Sequence, residues 1–291
     1  MSINIPAQTP LFYAIQKDRY YRQNLIKDIE NATSRKLISY VASFDHLGGS
    51  IDKGDVLGFG DLLHGMKSED IDLLLHSPGG DIDVAEKIVY MCWSRARSLR
   101  VIVPESAKSA ATLIALAANK VMMSDTSELG PIDPQIIIAA PSGEPISRPA
   151  SSFLDGLEAI KAEAAKTGSL SPAYFPLLAQ LDPALIDFCR KAIARSERFA
   201  EKWLLKTQCQ GAPKKAKRIA KSLVSTRRYI SHGTVIDHSE ATSLGLAVEY
   251  LAPDDALWQA IWRLYCAYEV DIRKESLAKV FESATVSIPM T

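Results

Sequence analysis

The chain has 291 residues, 47% hydrophobic and 23% charged, which suits a soluble globular protein with a substantial core. Its 34 basic and 34 acidic residues cancel, so no global field draws nucleic acid or an anionic membrane surface. The four cysteines (Cys92, Cys189, Cys209, Cys266) form no CxxC or Cys/His cluster, which argues against a structural zinc site and fits reduced thiols in a cytoplasmic protein.

The N-terminal segment has no apolar core of signal-peptide length. No stretch reaches the roughly 18 apolar residues that span a bilayer. Residues 1–36 read as a polar, tyrosine-rich, helical extension. "KLISYVASF" (36–44) reads as a first strand, "GGSIDKGD" (48–55) as a loop and "VLGFGDLLHGM" (56–66) as a helix. "IDLLLHS" (71–77) is a short apolar run bounded by turn signals, as expected of a buried strand. "PGGD" (78–81) is a turn, followed by a helical period over 84–96. "RVIV" (100–103) and "KVMM" (120–123) read as strands around a helix at 109–118. Strands alternating with helices at these spacings predict βα units and a largely parallel sheet.

Beyond this the composition changes. The proline-rich segment 128–149 is too irregular for one element and reads as a long functional loop. Residues 151–224 are almost wholly helical in pattern. Segment 241–251 gives a short helix, a stop at Gly245 and a strand. From Pro253 to about Phe281 the tail reads as one amphipathic helix. No internal repeat appears.

Two strand ends bear unusual turns, "LLLHSPGGD" and "VIVPESAKSAA". Ligands of open α/β sheets gather at the carboxyl ends of strands. Gly79 and Gly80 lack Cβ atoms, so their N–H groups can approach a ligand closely and donate to a developing oxyanion. Ser109 stands where a turn enters a helix, with the Ala110 N–H behind it. Each feature also has a plain reading. Serine is a preferred helix N-cap, and PGG turns are common.

"SPGGDIDVAEKI" (77–88), "VPESAKSAATLIALAANKVMMSDTSELGPIDPQ" (103–135) and "ISHGTVIDHSEATSLGLAVEYL" (230–251) together resemble the Clp-fold serine peptidases. The nearest resemblance is to the serine dehydrogenase proteinase (SDH) family, with more distant kinship to signal peptide peptidase A. It covers roughly residues 37–252 and implies an α/β, ClpP/crotonase-like fold of repeated ββα units with added helices at both ends. The chain then divides into an extension (1–36), a peptidase domain (37–252) and a helical tail (253–291). Family members usually read AMSAGT where this chain has "AKSAAT", so Lys108 and Ala111 replace a methionine and a glycine.

By position, the resemblance makes Ser109 the nucleophile and the N–H groups of Gly80, or Gly79, and Ala110 the oxyanion hole. Ser106 lies outside the matching slot. A serine hydroxyl needs a neighbouring base. Clp protease subunits carry a histidine where this chain has Ile132 and Asp133, and no histidine occurs between His76 and His232. Relatives like signal peptide peptidase use a downstream lysine instead. Lys161, 52 positions after Ser109, matches that pattern, and Lys166 is the alternative. A lysine serves only if desolvation brings its pKa from about 10.4 to 7 or 8. Phe153, Leu154, Leu157 and Ile160 are the apolar residues available for that. The plain reading is a solvated lysine beside Glu158 and Glu163.

His232 lies near the place where Clp subunits carry the triad acid, and it is a second candidate, to orient the base or be the base. Asp133 reads either as a partner of the active-site loop or as a local backbone acceptor. His76 reads as a support for the glycine turn and His238 as a helix-start residue.

The expected activity is a serine peptidase with peptide or protein substrates, Lys161 as base, and no cofactor or metal. Two alternatives remain open: a non-covalent acyl-CoA enzyme of the crotonase type, and an inactive oligomeric pseudoprotease. The resemblance implies a homo-oligomer. No GxxxxGK[ST] occurs, so any energy-driven unfolding needs an unfoldase partner. The basic run 214–228 lacks interleaved aromatics and reads as a solvated helix face, not a nucleic-acid surface.

Overall fold

A computed structural model describes residues 9–139, 143–179 and 182–291. The first eight residues of the extension and 140–142 of the proline-rich segment lie outside the described residues. Helices α1 (Pro10–Ile15) and α2 (Lys17–Thr33) precede β1 (Lys36–Ala42). Then α3 (Asp55–Leu62) leads to β2 (Glu69–His76), and α4 (Ile82–Trp93) to β3 (Ala96–Ile102). A two-residue strand, β4 (Ser106–Ala107), runs into α5 (Ala110–Leu116), β5 (Lys120–Met123) and a short β6 (Glu128–Leu129). Strands β7 (Gln135–Ala139) and β8 (Pro145–Pro149) pair antiparallel. Helices α6 (Ala150–Thr167), α7 (Phe175–Ala179), α8 (Pro183–Lys206), α9 (Pro213–Val224) and α10 (His238–Leu244) follow. The chain then forms β9 (Val248–Tyr250), α11 (Ala256–Glu275), β10 (Lys279–Ser283) and β11 (Ser287–Met290).

The main sheet has the order β11-β10-β1-β2-β3-β5-β9. Its last five strands are mutually parallel, while β10 pairs antiparallel with both β1 and β11. Successive side chains of a strand point to opposite faces. Leu73, Val101 and Val121 accordingly join one core, with residues of α3, α4, α5, α8 and α9. Their neighbours Leu74, Ile102 and Met122 join a second core with α2 and α11. Both faces are covered, so the central strands read as continuous apolar runs rather than alternating ones. Each fully buried aliphatic side chain, such as Ile26 or Ile29 of α2, contributes about 1.5–3 kcal/mol.

Beyond the ends of the main strands lies a small second layer. Strand β4 pairs with β6, and single bridges join Ile51 to Gly80, Ser77 to Ala107 and Leu129 to Ile236. A main-sheet strand, a short second-layer strand and a helix together make the ββα unit that the resemblance implies.

Two expectations need correction. The segment 128–149 contains β6 and the β7–β8 pair rather than one irregular loop. Its prolines obscured this: Pro134, Pro145 and Pro149 stand at strand ends, where a missing N–H is tolerated. The tail is not one helix. α11 stops at Ser276, which takes a left-handed conformation, and the chain then joins the sheet edge. The pattern of β10 was masked by Lys279 and Glu282, polar residues that are buried because each has a buried ionic partner.

Candidate active site

Ser109 enters α5 directly after Lys108, with φ 52° and ψ −116°. That backbone region is sparsely populated for any residue but glycine, and its occupation costs on the order of 1–3 kcal/mol. The Ser109 side chain makes no capping hydrogen bond to its own helix. Thr112, one turn on, donates to the carbonyls of Ala107 and Gly130 and so fixes the turn from within. The hydroxyl of Ser109 is therefore held out by a strained turn and left free.

The glycine turn packs directly on this serine. A Cβ on Gly79 would stand 2.8 Å from Ser109 Cβ and 2.6 Å from the Lys108 carbonyl, so only glycine fits, at φ 95°. Gly79 N–H donates to Ser77 Oγ. Gly80, at φ 147°, is flanked by a ladder to Ile51: Ile51 N–H donates to the Gly79 carbonyl, and Asp81 N–H donates to the Ile51 carbonyl. Among the described residues, the N–H groups of Gly80 and Ala110 have no hydrogen-bond partner. Of the two glycine amides, Gly80 is the one left available.

These turns line a cavity of about 830 Å³. Its polar groups include Ser109, Ser147, Arg195 and His232, and its apolar wall includes Ile82, Leu113, Ile132, Ile136 and Phe188. Arg195 is held by Asp83 and Glu86. His232 Nδ1 lies 2.8 Å from Oδ1 of Asp133. Asp133 is buried, and its Oδ2 accepts from Gln135 Nε2 at 2.6 Å. The carboxylate can only accept, so in the neutral imidazole Nδ1 carries the hydrogen and Nε2 has the lone pair. Ser109 and His232 share the cavity with no direct hydrogen bond between them among the described residues. Lys108 ties the surrounding loops together. Its Nζ lies 2.7 Å from Glu128 and donates to the carbonyls of Leu129 and Thr234.

Other candidates lie elsewhere. Lys161 sits on α6 with its side chain 56% exposed and its Nζ 2.9 Å from Glu158. Neither Lys161 nor Lys166 lines the cavity. Phe153 and Leu154 do pack as an apolar face, but against Ile136 and Cys189. Ser106 is buried and donates to Glu128 at 2.6 Å.

His76 opens toward a different cleft, which it lines with Phe44, Glu105 and Arg273. Its Nδ1 meets the Ala42 carbonyl at 3.1 Å, and its Nε2 lies 3.1 Å from Glu105, which also accepts from Tyr265. The His76 contact, against some burial, holds the Glu105 carboxyl at about 2. His238 starts α10, with its ring against Tyr250. The Asp133–His232 pairing spans 99 positions, and no local pattern announces it.

Among the described residues no helix is long and apolar enough to cross a membrane, and no cluster of three or more His, Cys, Asp or Glu is placed to hold a metal ion.

The chain is similar to several known proteins. Uncharacterized protein MJ0137 of Methanocaldococcus jannaschii is 34% identical over 189 residues, covering 65% of this chain and 57% of that protein. Uncharacterized protein MJ1495 of the same organism is 32% identical over 183 residues, covering 63% and 53%. The chain thus spans little more than half the length of these curated relatives. Two solved structures of mutants of the 1510-N membrane-bound stomatin-specific protease are also similar. One, in complex with a substrate peptide, has 17% identity and a TM-score of 0.31, covering 68% of this chain and 83% of that one. The other has 18% identity and a TM-score of 0.30, covering 71% and 94%. The family of ClpP-like SDH-type serine proteinases matches residues 62–277, most of the chain. The chain belongs to the ClpP-like SDH-type serine proteinase family.

Proposed function

We propose that this chain hydrolyses peptide bonds through an acyl-enzyme on Ser109, with His232 as general base and Asp133 as its orienting acid. The observation that carries the reading is one cavity shared by a strained, uncapped serine and by a histidine whose far nitrogen is held by a buried carboxylate. Lys161, the base that the resemblance suggests, pairs with Glu158 in solvent and lacks the desolvation a lysine base requires. His232 needs no such desolvation.

In this mechanism Ser109 Oγ attacks the peptide carbonyl carbon and its proton passes to His232 Nε2. The carbonyl oxygen becomes an oxyanion held by the N–H groups of Gly80 and Ala110. The C–N bond breaks as His232 returns the proton to the leaving amine. Water then attacks the acyl-enzyme with the same base, giving the free acid and the restored serine. Hydrogen bonds of this kind commonly tighten only in the substrate complex. The apolar wall of Leu113, Ile132 and Ile136 suits an apolar side chain beside the cleaved bond.

A fluorophosphonate probe tests the reading. Labelling of the wild type, lost in Ser109→Ala, is the expected result. Equal labelling of both proteins, or hydrolysis that survives the substitution, overturns it; a wild type that neither labels nor hydrolyses peptides also overturns it and leaves a non-covalent acyl-transfer enzyme or an inactive scaffold.

A further inference from the structure

The loop facing the glycine turn is anchored by an ion cluster far away in sequence. Lys279, on β10, is 2% exposed. Its Nζ lies 2.6 Å from Oδ1 of Asp55 and 2.8 Å from Oδ2 of Asp52. Asp55 is fully buried at the start of α3, and its Oδ2 accepts from Tyr40 Oη at 2.8 Å and from the Asp52 N–H at 3.1 Å. Asp52 Oδ1 accepts from the Gly54 N–H. Burial raises the Asp55 carboxyl above its ordinary range while Lys279 pulls it back, as expected of a charge retained only because it is paired.

The residue before Asp52 is Ile51, which hydrogen-bonds on both sides of Gly80, to the Gly79 carbonyl and from the Asp81 N–H. A Cβ on Gly80 would strike Ile51 backbone atoms at 2.4 Å and 2.5 Å, so the two backbones are in direct contact. The position of the Gly80 N–H therefore follows the position of Ile51. Ile51 in turn is held on its C-terminal side by the Asp55–Lys279–Tyr40 cluster. Nothing in the cluster lines the cavity.

We infer that Lys279 and Asp52 are positioning residues for the oxyanion hole, setting the Gly80 amide through Ile51. This rests on the proposed serine mechanism and deepens it. A carbonyl oxygen in the ground state tolerates a displaced donor, whereas a tetrahedral oxyanion does not. Loosening the cluster therefore weakens oxyanion stabilisation and leaves binding of the apolar side chain intact.

The test compares a peptide aldehyde with the matching peptide alcohol as inhibitors. The aldehyde adds to Ser109 Oγ, its carbonyl oxygen becoming the oxyanion while the serine proton moves to His232. The alcohol makes the other contacts only. Asp52→Asn keeps the acceptor for Gly54 and removes the charge facing Lys279; Lys279→Gln removes the other partner. The aldehyde-to-alcohol affinity ratio should fall about tenfold in each, with alcohol affinity unchanged, since misplacing a catalytic donor by a fraction of an ångström carries losses of this order. Should Lys279→Gln not fold, Asp52→Asn decides alone, because the Asp52 side chain is more than half exposed. An unchanged ratio in a folded variant overturns the positioning role while leaving the serine mechanism standing. A wild type with no aldehyde preference overturns both.

Discussion

Two base–acid pairs stand at nearly the same separation in this molecule, 2.8 Å for His232–Asp133 and 2.9 Å for Lys161–Glu158. Distance does not tell them apart; surroundings do. Asp133 is 4% exposed in its side chain and His232 opens into the serine cavity, whereas Lys161 and Glu158 are 56% and 65% exposed on one helix face. The exposed pair is a helical i,i+3 contact of the sort that contributes a few tenths of a kcal/mol. A pair that orients a catalytic nitrogen must be held by burial on the acid side and left open on the base side. Only His232–Asp133 has that asymmetry of these two.

Mutations can break this contrast. The largest effect belongs to the bases themselves: His232→Ala should lower kcat/KM for a peptide substrate by roughly a thousandfold or more, while Lys161→Ala changes it by less than about twofold. A reversed result hands the base role to the lysine. The acids give the next largest effect. Asp133→Asn should reduce kcat by roughly 10²–10⁴, because the amide no longer selects the tautomer with Nε2 free, while Glu158→Gln is silent in the same assay. A silent Asp133→Asn would reduce the buried acid to a packing element.

A third pair, His76–Glu105, sharpens the contrast from outside the cavity, with a smaller effect on stability. Here the histidine is buried and the carboxylate half-exposed, the opposite asymmetry. Folding holds the Glu105 carboxyl at about 2, below its ordinary 4.5, through His76 and then Tyr265, with burial opposing. The unfolded chain takes up the proton first, so this stabilisation is complete above pH 4.5 and fades as pH falls toward 2. Urea unfolding across that window should show Glu105→Gln with a shallower loss than wild type. Parallel profiles would mean that solvent screens the contact completely.

The turns that carry the proposed nucleophile are legible in sequence. Ser109, Gly79 and Gly80 lie in two short local stretches, and their chemistry depends on backbone conformations that turn residues report directly. The parallel core was legible for a similar reason, since "IDLLLHS" and "KVMM" are apolar on both faces. The base was not. His232 and Asp133 meet only through the tertiary fold, and neither sits in a stretch whose composition names its partner. Strand β10 escaped for a related reason: Lys279 and Glu282 look like surface residues until Asp55 and Arg22 are placed against them. The triple isoleucine of β7 reads as loop because of its flanking prolines, although prolines at strand ends leave the pairing between them intact.

The backbone of Ser109 has a consequence for how this protein spends its lifetime as a folded object. A residue with a Cβ is held at φ 52° and ψ −116° by the packing of Gly79, the inner bonds of Thr112 and the start of α5. The surrounding fold thus carries a local penalty that glycine would not incur. Strain on the order of 1–3 kcal/mol exceeds the roughly 0.5–1 kcal/mol by which glycine's freedom favours the unfolded chain. Ser109→Gly should therefore melt at a higher temperature than wild type while losing all probe labelling. The residue proposed to make the protein an enzyme is also the one whose removal should let it rest more easily.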